Sequence, residues 1–431
     1  MRWLALALLT IAAPVGAGEY FTLKGHGGPI MDVTTGPGGR IATASFDNAV
    51  GLWTDGVPTW LDGHAAAVNA VLLADDDLAF SAGDDFTVMR WSLTTGTGQP
   101  MTGHRGKVVA LALSRDAGLL ASASWDGSIG LWPLAGGDPV MLAGHDGPVN
   151  DVVFSADGGL LYSASADGTI RVWDVADRIE RARLVEHGFG INELVLSPAG
   201  DWLAYGAVDG VTRIVDPGSG AAIADLSLER RPILAMDASE QGLLAVGDGE
   251  GYIMVVATDG WRIVQDFRAT THGPIWALAF SPDGANIHAG GLDDTLHSWP
   301  VGQMAAQNRM QTADRSFLAD PALMPNGERQ FKRKCSICHT LTPGSARRAG
   351  PTLHGLFGRR AGTVSDYSYS DALDGSELIW NDATIDALFD IGPEHYVPGT
   401  KMPMQRITGA QDRADLIAYL RRETAPNEER P

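Results

Sequence analysis

Cys335 and Cys338 are the only two cysteines in the 431-residue chain, and His339 directly follows the second. Two thiols three positions apart can each add across a vinyl group of haem. The imidazole in the next position then reaches the iron of the ring so tethered, and Cys-Ser-Ile-Cys-His is the pattern of haem c attachment. A disulfide is the competing use of such a pair, and the adjacent histidine argues against it. Iron held on one face binds water on the other, so an electron carrier needs a second protein ligand. Met402 is one candidate, because it follows Tyr396-Val397-Pro398-Gly399-Thr400-Lys401, where a Pro-Gly turn can hold a thioether against the open face. Met404 is near enough to compete, and spacing alone leaves both open. A His/Met pair stabilises the ferrous state, and an iron with both axial positions filled suits one-electron transfer better than substrate chemistry.

The elements that position these residues are helical. Phe331 to Lys334 lead into the cysteines, and Leu416, Ile417 and Leu420 stand at helix spacing within Ala410 to Arg422, the pattern of an amphipathic terminal helix. The expected domain spans 326–431. Ahead of it, 302–325 has few β-branched residues and reads as a linker, with helix-favouring residues around Met304 to Met310.

Before residue 302 the chain repeats. Gly-His pairs occur at Gly25-His26, Gly63-His64, Gly103-His104 and Gly144-His145; His187 follows at the next period, and His272 two periods after that. A period near 40 residues is that of a propeller blade. Each period also places an acid six residues before an aromatic or apolar position: Asp47 to Trp53, Asp85 to Trp91, Asp126 to Trp132, Asp167 to Trp173, Asp209 to Val215, Glu250 to Val256 and Asp293 to Trp299. Seven units result. The expected architecture is therefore multidomain, an all-β seven-bladed propeller over 18–301 followed by a small all-α domain. Tyr20 to Leu23 precede the first repeat and read as the outer strand that completes the seventh blade, which removes an open sheet edge.

The repeats resemble the WD-repeat family, best in Gly144 to Asp174, GHDGPVNDVVFSADGGLLYSASADGTIRVWD. The resemblance implies four-stranded blades, each held by a buried network of His, Ser or Thr, Asp and Trp. In one blade these roles fall to His145, Ser163 or Ser165, Asp167 and Trp173, so the repeat histidines are structural. Blades five and six lack the tryptophan, and blade six has Arg230-Arg231-Pro232 near the place of Gly-His.

From Gly327 onward the chain is similar to mitochondrial-type class I cytochrome c, in GPTLHGLFGRRAGTVSDYSYSDAL, then LIW, YVPGTKM and RADLIAYL, in order and spacing. The resemblance implies one covalent haem c on Cys335 and Cys338, with His339 and Met402 as the iron ligands. It further implies that the carbonyl of Pro351 accepts the other imidazole N–H. Arg359, Tyr369 and Trp380 are expected around the haem propionates with Thr400 beside them, and Gly327 and Phe331 against Leu416 and Tyr419 where the first and last helices cross. His354 matches a structural histidine and is not assigned as a ligand. The chain departs from the family at Ile385-Asp386-Ala387-Leu388-Phe389, where a tyrosine near the distal methionine is absent.

Residues 1–17 read as a signal peptide: Arg2, an apolar run from Trp3 to Ala13, then the small residues Val15-Gly16-Ala17. No later window is apolar enough for a transmembrane segment. The formal net charge is -20, and because 326–431 holds 14 Lys and Arg against 14 Asp and Glu, the whole excess lies earlier in the chain. That balance, with an exported address, disfavours nucleic acid. The helical domain carries basic clusters at Lys332-Arg333-Lys334, Arg347-Arg348, Arg359-Arg360 and Lys401, which suit acidic redox protein partners, the propeller itself included, or are simply solvated. Two functions fit: a periplasmic electron carrier whose propeller docks partners, or a redox enzyme with a second site in the propeller. The absence of propeller cysteines, and spare histidines His288 and His297 without a carboxylate-rich ligand set, favour the first.

Overall fold

The computed structural model describes residues 18–227, 232–270, 273–302, 324–336, 338–370, 373, 375–402 and 406–425. Residues 1–17, nearly all of 302–325, Met404, His272 and Arg230-Arg231 therefore lie outside the described residues.

Residues 18–300 form seven four-stranded antiparallel sheets. Six use strands consecutive in the chain. The seventh joins Ile275–Phe280, Asn286–Gly291 and Thr295–Pro300 to the first strand, Phe21–Lys24, in the register Phe21↔Ser298 and Lys24↔Thr295. The ring closes as the repeat register requires, and the first strand covers the edge that Thr295–Pro300 would otherwise expose.

Each innermost strand carries a bulge at the same place, between Ile30 and Asp32, Val68 and Ala70, Val108 and Ala110, Val149 and Asp151, Ile191 and Glu193, Ile233 and Ala235, and Ile275 and Ala277. A bulge re-aims the residue it releases from the ladder. In three blades that residue is an asparagine which donates to the next blade: Asn69 Nδ2 to the Val108 carbonyl at 3.1 Å, Asn150 to Ile191 at 2.9 Å and Asn192 to Ile233 at 2.9 Å. Carboxylates do the complementary work. Asp32 accepts from Val71 N at 2.9 Å, Asp151 from Leu194 N at 2.7 Å and Asp237 from Phe280 N at 2.7 Å, so the blades are joined by polar bonds as well as by apolar packing.

Within blades one to four the expected tetrad is complete. His26, His64, His104 and His145 place Nδ1 2.9–3.0 Å from Asp47, Asp85, Asp126 and Asp167. Their Nε2 atoms lie 2.7 Å from the hydroxyls of Thr43, Ser81, Ser122 and Ser163, which also accept the indole N–H of Trp53, Trp91, Trp132 and Trp173 at 2.8 Å. Every polar atom finds a partner if each imidazole is neutral with its proton on Nδ1. Burial pushes His104 and His145 down from the usual histidine range, against the pull of their aspartates, in keeping with that tautomer. Ser163 holds the network place; Ser165 instead donates to the carbonyl of Pro148.

Blades five and six depart as their sequences suggest. Tyr205 occupies the place of the serine in blade five, and His187 turns over, offering Nε2 rather than Nδ1 to Asp209 at 3.1 Å. In blade six Asp248 accepts the turn N–H groups of Glu250 and Tyr252, both at 2.9 Å.

The C-terminal region contributes helices α1 (Asn326–Lys334), α2 (Asp382–Ile391), α3 (Pro393–Tyr396) and α4 (Ala410–Thr424). Helices α1 and α4 cross closely because Gly327 has no side chain: a Cβ there would lie 2.1 Å from the Asp415 carbonyl oxygen. Phe331 and Tyr419 pack tilted across the crossing with centroids 5.5 Å apart, and Asn326 donates to Asp412 and Asp415 at 2.8 and 2.7 Å. Leu416, Ile417 and Leu420 complete the small core with Ile385, Leu388 and Phe389 of α2. Among the described residues no helix is long and apolar enough to cross a membrane.

Candidate functional site

Helix α1 ends where the chemistry starts. The backbone N–H groups of Cys335 and His339 bond to the carbonyls of Phe331 and Cys335 at 2.8 and 2.9 Å, so the cysteine motif continues the helical turn and fixes both thiols and the imidazole on one short stretch. Both thiols are buried, and burial pushes each up to about 12. Such thiols stay protonated and apolar at neutral pH.

His339 is anchored from behind. Its Nδ1 lies 2.7 Å from the Pro351 carbonyl oxygen, so Nδ1–H donates there and leaves Nε2 as the basic nitrogen. Burial lowers the tendency of this ring to take a second proton. The close packing depends on Gly350, where a Cβ would stand 2.4 Å from the imidazole. Gly350 N is bonded to the Cys338 carbonyl at 2.9 Å, which ties the two segments together.

Met402 reaches the same cavity from the segment after α3. After α3, Thr400 N bonds to the Val397 carbonyl at 3.0 Å, Gly399 takes the left-handed φ of +82°, and Thr400 Oγ1 accepts Met402 N–H at 3.2 Å. Met402 packs against the helical core. Met404 lies outside the described residues, so the alternative at that position has no structural counterpart here.

Cys335, Cys338, His339, Pro351, Arg359, Tyr369, Trp380, Thr400 and Met402 all line one cavity of about 850 Å³. Its walls hold two buried thiols, a neutral imidazole anchored at its far nitrogen and a thioether, with Leu353, Leu356, Ile385 and Leu388 around them. This donor set and apolar shell fit a covalently tethered haem. His354 is not among the lining residues.

The edge of the cavity is more committed than the sequence suggests. Arg359 spends two donors on its own chain, to the carbonyls of His354 at 2.7 Å and Thr352 at 2.8 Å. Burial holds Arg359 below the ordinary arginine range. Lys401 donates to the Ser368 carbonyl at 3.0 Å, and Lys332 pairs with Glu328 at 2.7 Å. Sequence reasoning missed Tyr367, which stands beside Tyr369 with ring centroids 4.9 Å apart and donates its hydroxyl to the Ala349 carbonyl at 2.7 Å. Burial pushes that phenol up to about 12. In Tyr367-Ser368-Tyr369 both tyrosines had a claim to the cavity, and both line it.

Comparison with known proteins agrees with this geometry. Residues 325–423 match the family described as Cytochrome c. The cytochrome c of Sesamum indicum is 46% identical over 109 residues, which cover 25% of this chain and 96% of the relative. Those of Nigella damascena and Arabidopsis thaliana are 45% and 43% identical over 102 and 115 residues, covering 23% and 27% of this chain and 89% and 99% of theirs. This chain belongs to the cytochrome c family. Residues 18–54, 97–133, 139–174 and 261–300 match the WD domain, G-beta repeat, so the propeller is built of WD repeats. The cytochrome c domain carries one covalently bound haem c and transfers electrons.

Proposed function

We propose that the protein is a periplasmic one-electron carrier whose propeller docks redox protein partners beside the haem. The observation that carries this reading is the anchoring of His339 by Pro351 in one cavity that Met402, Cys335 and Cys338 also line. In this reading the cysteines would hold the haem, and His339 and Met402 would supply the iron ligands. The bound haem supplies a reversible one-electron change at iron. Pro351 holds the imidazole proton away from the metal, and Thr400 and Gly399 fix the backbone that presents Met402. The leucines and Ile385 would keep water from the ring, and Arg359, Tyr369, Tyr367 and Trp380, which line the same cavity, would be the polar and aromatic groups available to its propionates.

Export rests on the basic and apolar start of the chain, with small residues after it. The docking role rests on the excess acidic charge of the propeller, which steers basic partners at low salt. Expression with and without residues 1–17, followed by fractionation and haem counting, tests the export part, and the salt dependence of binding to a basic redox protein tests the docking part. One haem per chain in periplasmic extract, lost without residues 1–17, is the expected result. Haem attachment independent of those residues would remove the export assignment.

A further inference from the structure

The cavity that holds His339 and Met402 does not end within the cytochrome c domain. Phe46, Asn48, Ala65, Asp85, Phe86 and Lys107 of the propeller line it as well. The same face of the propeller receives the loop Ser345-Ala346-Arg347. Arg347 donates to Asp62 at 2.7 Å and lies 4.3 Å from the centroid of the Trp60 ring.

Comparison of the blades with one another shows that this seat is special. Gly27 follows the repeat histidine in blade one, where the next three blades have Ala65, Arg105 and Asp146. A Cβ at Gly27 would stand 2.2 Å from the Ala346 carbonyl oxygen, so only glycine lets the loop in. Trp60 faces Gly51 in the strand register, and the equivalent outer-strand residues of the next three blades are Pro100, Met141 and Arg183. On the other side Ala346 and Arg347 both hold left-handed φ, +47° and +51°, a conformation that non-glycine residues keep only where contacts enforce it.

Phe86 points the same way. The equivalent turn residue is Gly127, Gly168, Gly210 and Gly251 in blades three to six, each at positive φ. Phe86 takes φ +66° and leaves 44% of its surface exposed. A bulky side chain in that conformation is strained. Its position on the wall of the shared cavity gives it a use.

We propose that blades one and two form a built seat for this chain's own haem crevice, latched by Arg347, and that a protein partner exchanges electrons with the haem only when the latch opens. The consequence for electron exchange rests on the function proposed above; the seat itself does not.

Two variants of the full-length holoprotein test it. Gly27→Ala copies blade two and leaves charge unaltered, while Phe86→Gly copies blades three to six and relieves backbone strain. The ferric protein is mixed with dithionite, a small reductant, and separately with reduced rubredoxin, a small iron protein that gives up one electron and is itself oxidised. Both variants are expected to react about fivefold faster with rubredoxin, the opening that loss of ~1 kcal/mol of contact produces. Because Gly27 does not line the cavity, the dithionite rate of Gly27→Ala should be unchanged, and both variants should show faster hydrogen exchange at 65–67 and 84–86. Phe86→Gly is expected to do so without lowering the thermal midpoint, which separates loss of the seat from loss of stability. Unchanged rubredoxin rates and unchanged exchange, in protein with a normal haem spectrum, would overturn the latch. An abnormal spectrum in the parent protein would instead overturn the electron-carrier reading and leave the exchange experiment to judge the seat.

Discussion

The imidazole of His339 and the backbone of Gly350 are in such close register that one added methyl group would stand 2.4 Å from the ring. The carbonyl that orients the imidazole belongs to the next residue, Pro351. Ligand orientation and backbone packing are therefore set by one dipeptide.

Gly350→Ala should accordingly displace His339 while leaving both cysteines in place. The expected protein carries haem at normal stoichiometry but has a midpoint potential shifted by tens of millivolts, because the hydrogen bond that tunes the ligand is lost. Potentiometric titration beside a haem count decides it, and an unshifted potential would show that the ring relaxes around the methyl.

Met402→Ala should open one axial position and bind carbon monoxide when reduced, whereas Met404→Ala should remain six-coordinate and bind none. The opposite pattern would assign the distal role to Met404. Thr400→Val removes the acceptor for Met402 N–H and is expected to weaken methionine ligation without abolishing it. The absorption band of the ferric iron–sulfur bond would report this, and an unchanged band would make the Thr400 contact incidental.

Removing one hydroxyl from a blade tetrad should cost more than its size suggests. Ser163→Ala strands His145 Nε2 and Trp173 Nε1 without partners in the interior. The expected loss is about 2 kcal/mol by urea unfolding, from buried polar atoms left unsatisfied. A loss near zero would mean that water enters in place of the hydroxyl.

Several buried carboxyls of the innermost strands should make the propeller's stability depend on pH. Burial, with a further push from neighbouring acids, raises Asp32 and Asp151 to about 7, and burial raises Asp237 to about 6. Glu193 is also raised, first by burial and then by Asp151 and Asp32. A carboxyl raised by folding binds its proton more tightly in the native state, so its stabilising effect is complete below pH 4 and is lost as pH climbs towards 7. Asp126 behaves oppositely, being lowered to about 2 chiefly by hydrogen bonds from Ser128 and Arg105 against the cost of burial, and its contribution fades below pH 4. The propeller midpoint should therefore peak at mildly acidic pH and fall as pH rises to 7.5. Calorimetry of the parent and of Asp32→Asn checks this; a curve that rises monotonically to neutrality would contradict it.

Much of this architecture was legible because it repeats. Seven acids at fixed distance from an aromatic or apolar residue locate seven turns, and the strand before the first of them has nowhere to pair except the last blade. The sequence could not separate Ser163 from Ser165, since both alternate onto useful positions and only the three-dimensional register places one against the indole. Nor could it show that in blade six Asp248 accepts the turn N–H groups, because a change of acid position leaves composition untouched. In the cytochrome c domain the cysteines and His339 follow from motif spacing, whereas Met402 and the backing carbonyl of Pro351 needed the family resemblance, because spacing leaves Met404 equally placed. Gly350 and Tyr367 follow from neither, because their importance lies in a close approach and a carbonyl partner brought together only by the fold. The seat at Gly27, Trp60 and Asp62 was in plain view as a departure from the repeat, yet nothing along the chain links it to Arg347.

The pairing of Phe21–Lys24 with Thr295–Pro300 has a further consequence, in time rather than space. The earliest strand of the ring waits unpaired until the latest has been made, so blades one to six can form as they emerge but the circle cannot. The attachment sequence at Cys335 lies just beyond that last strand. Ring closure and haem attachment thus fall at neighbouring moments of synthesis, and a chain interrupted before Pro300 would leave both an open edge and no electron carrier.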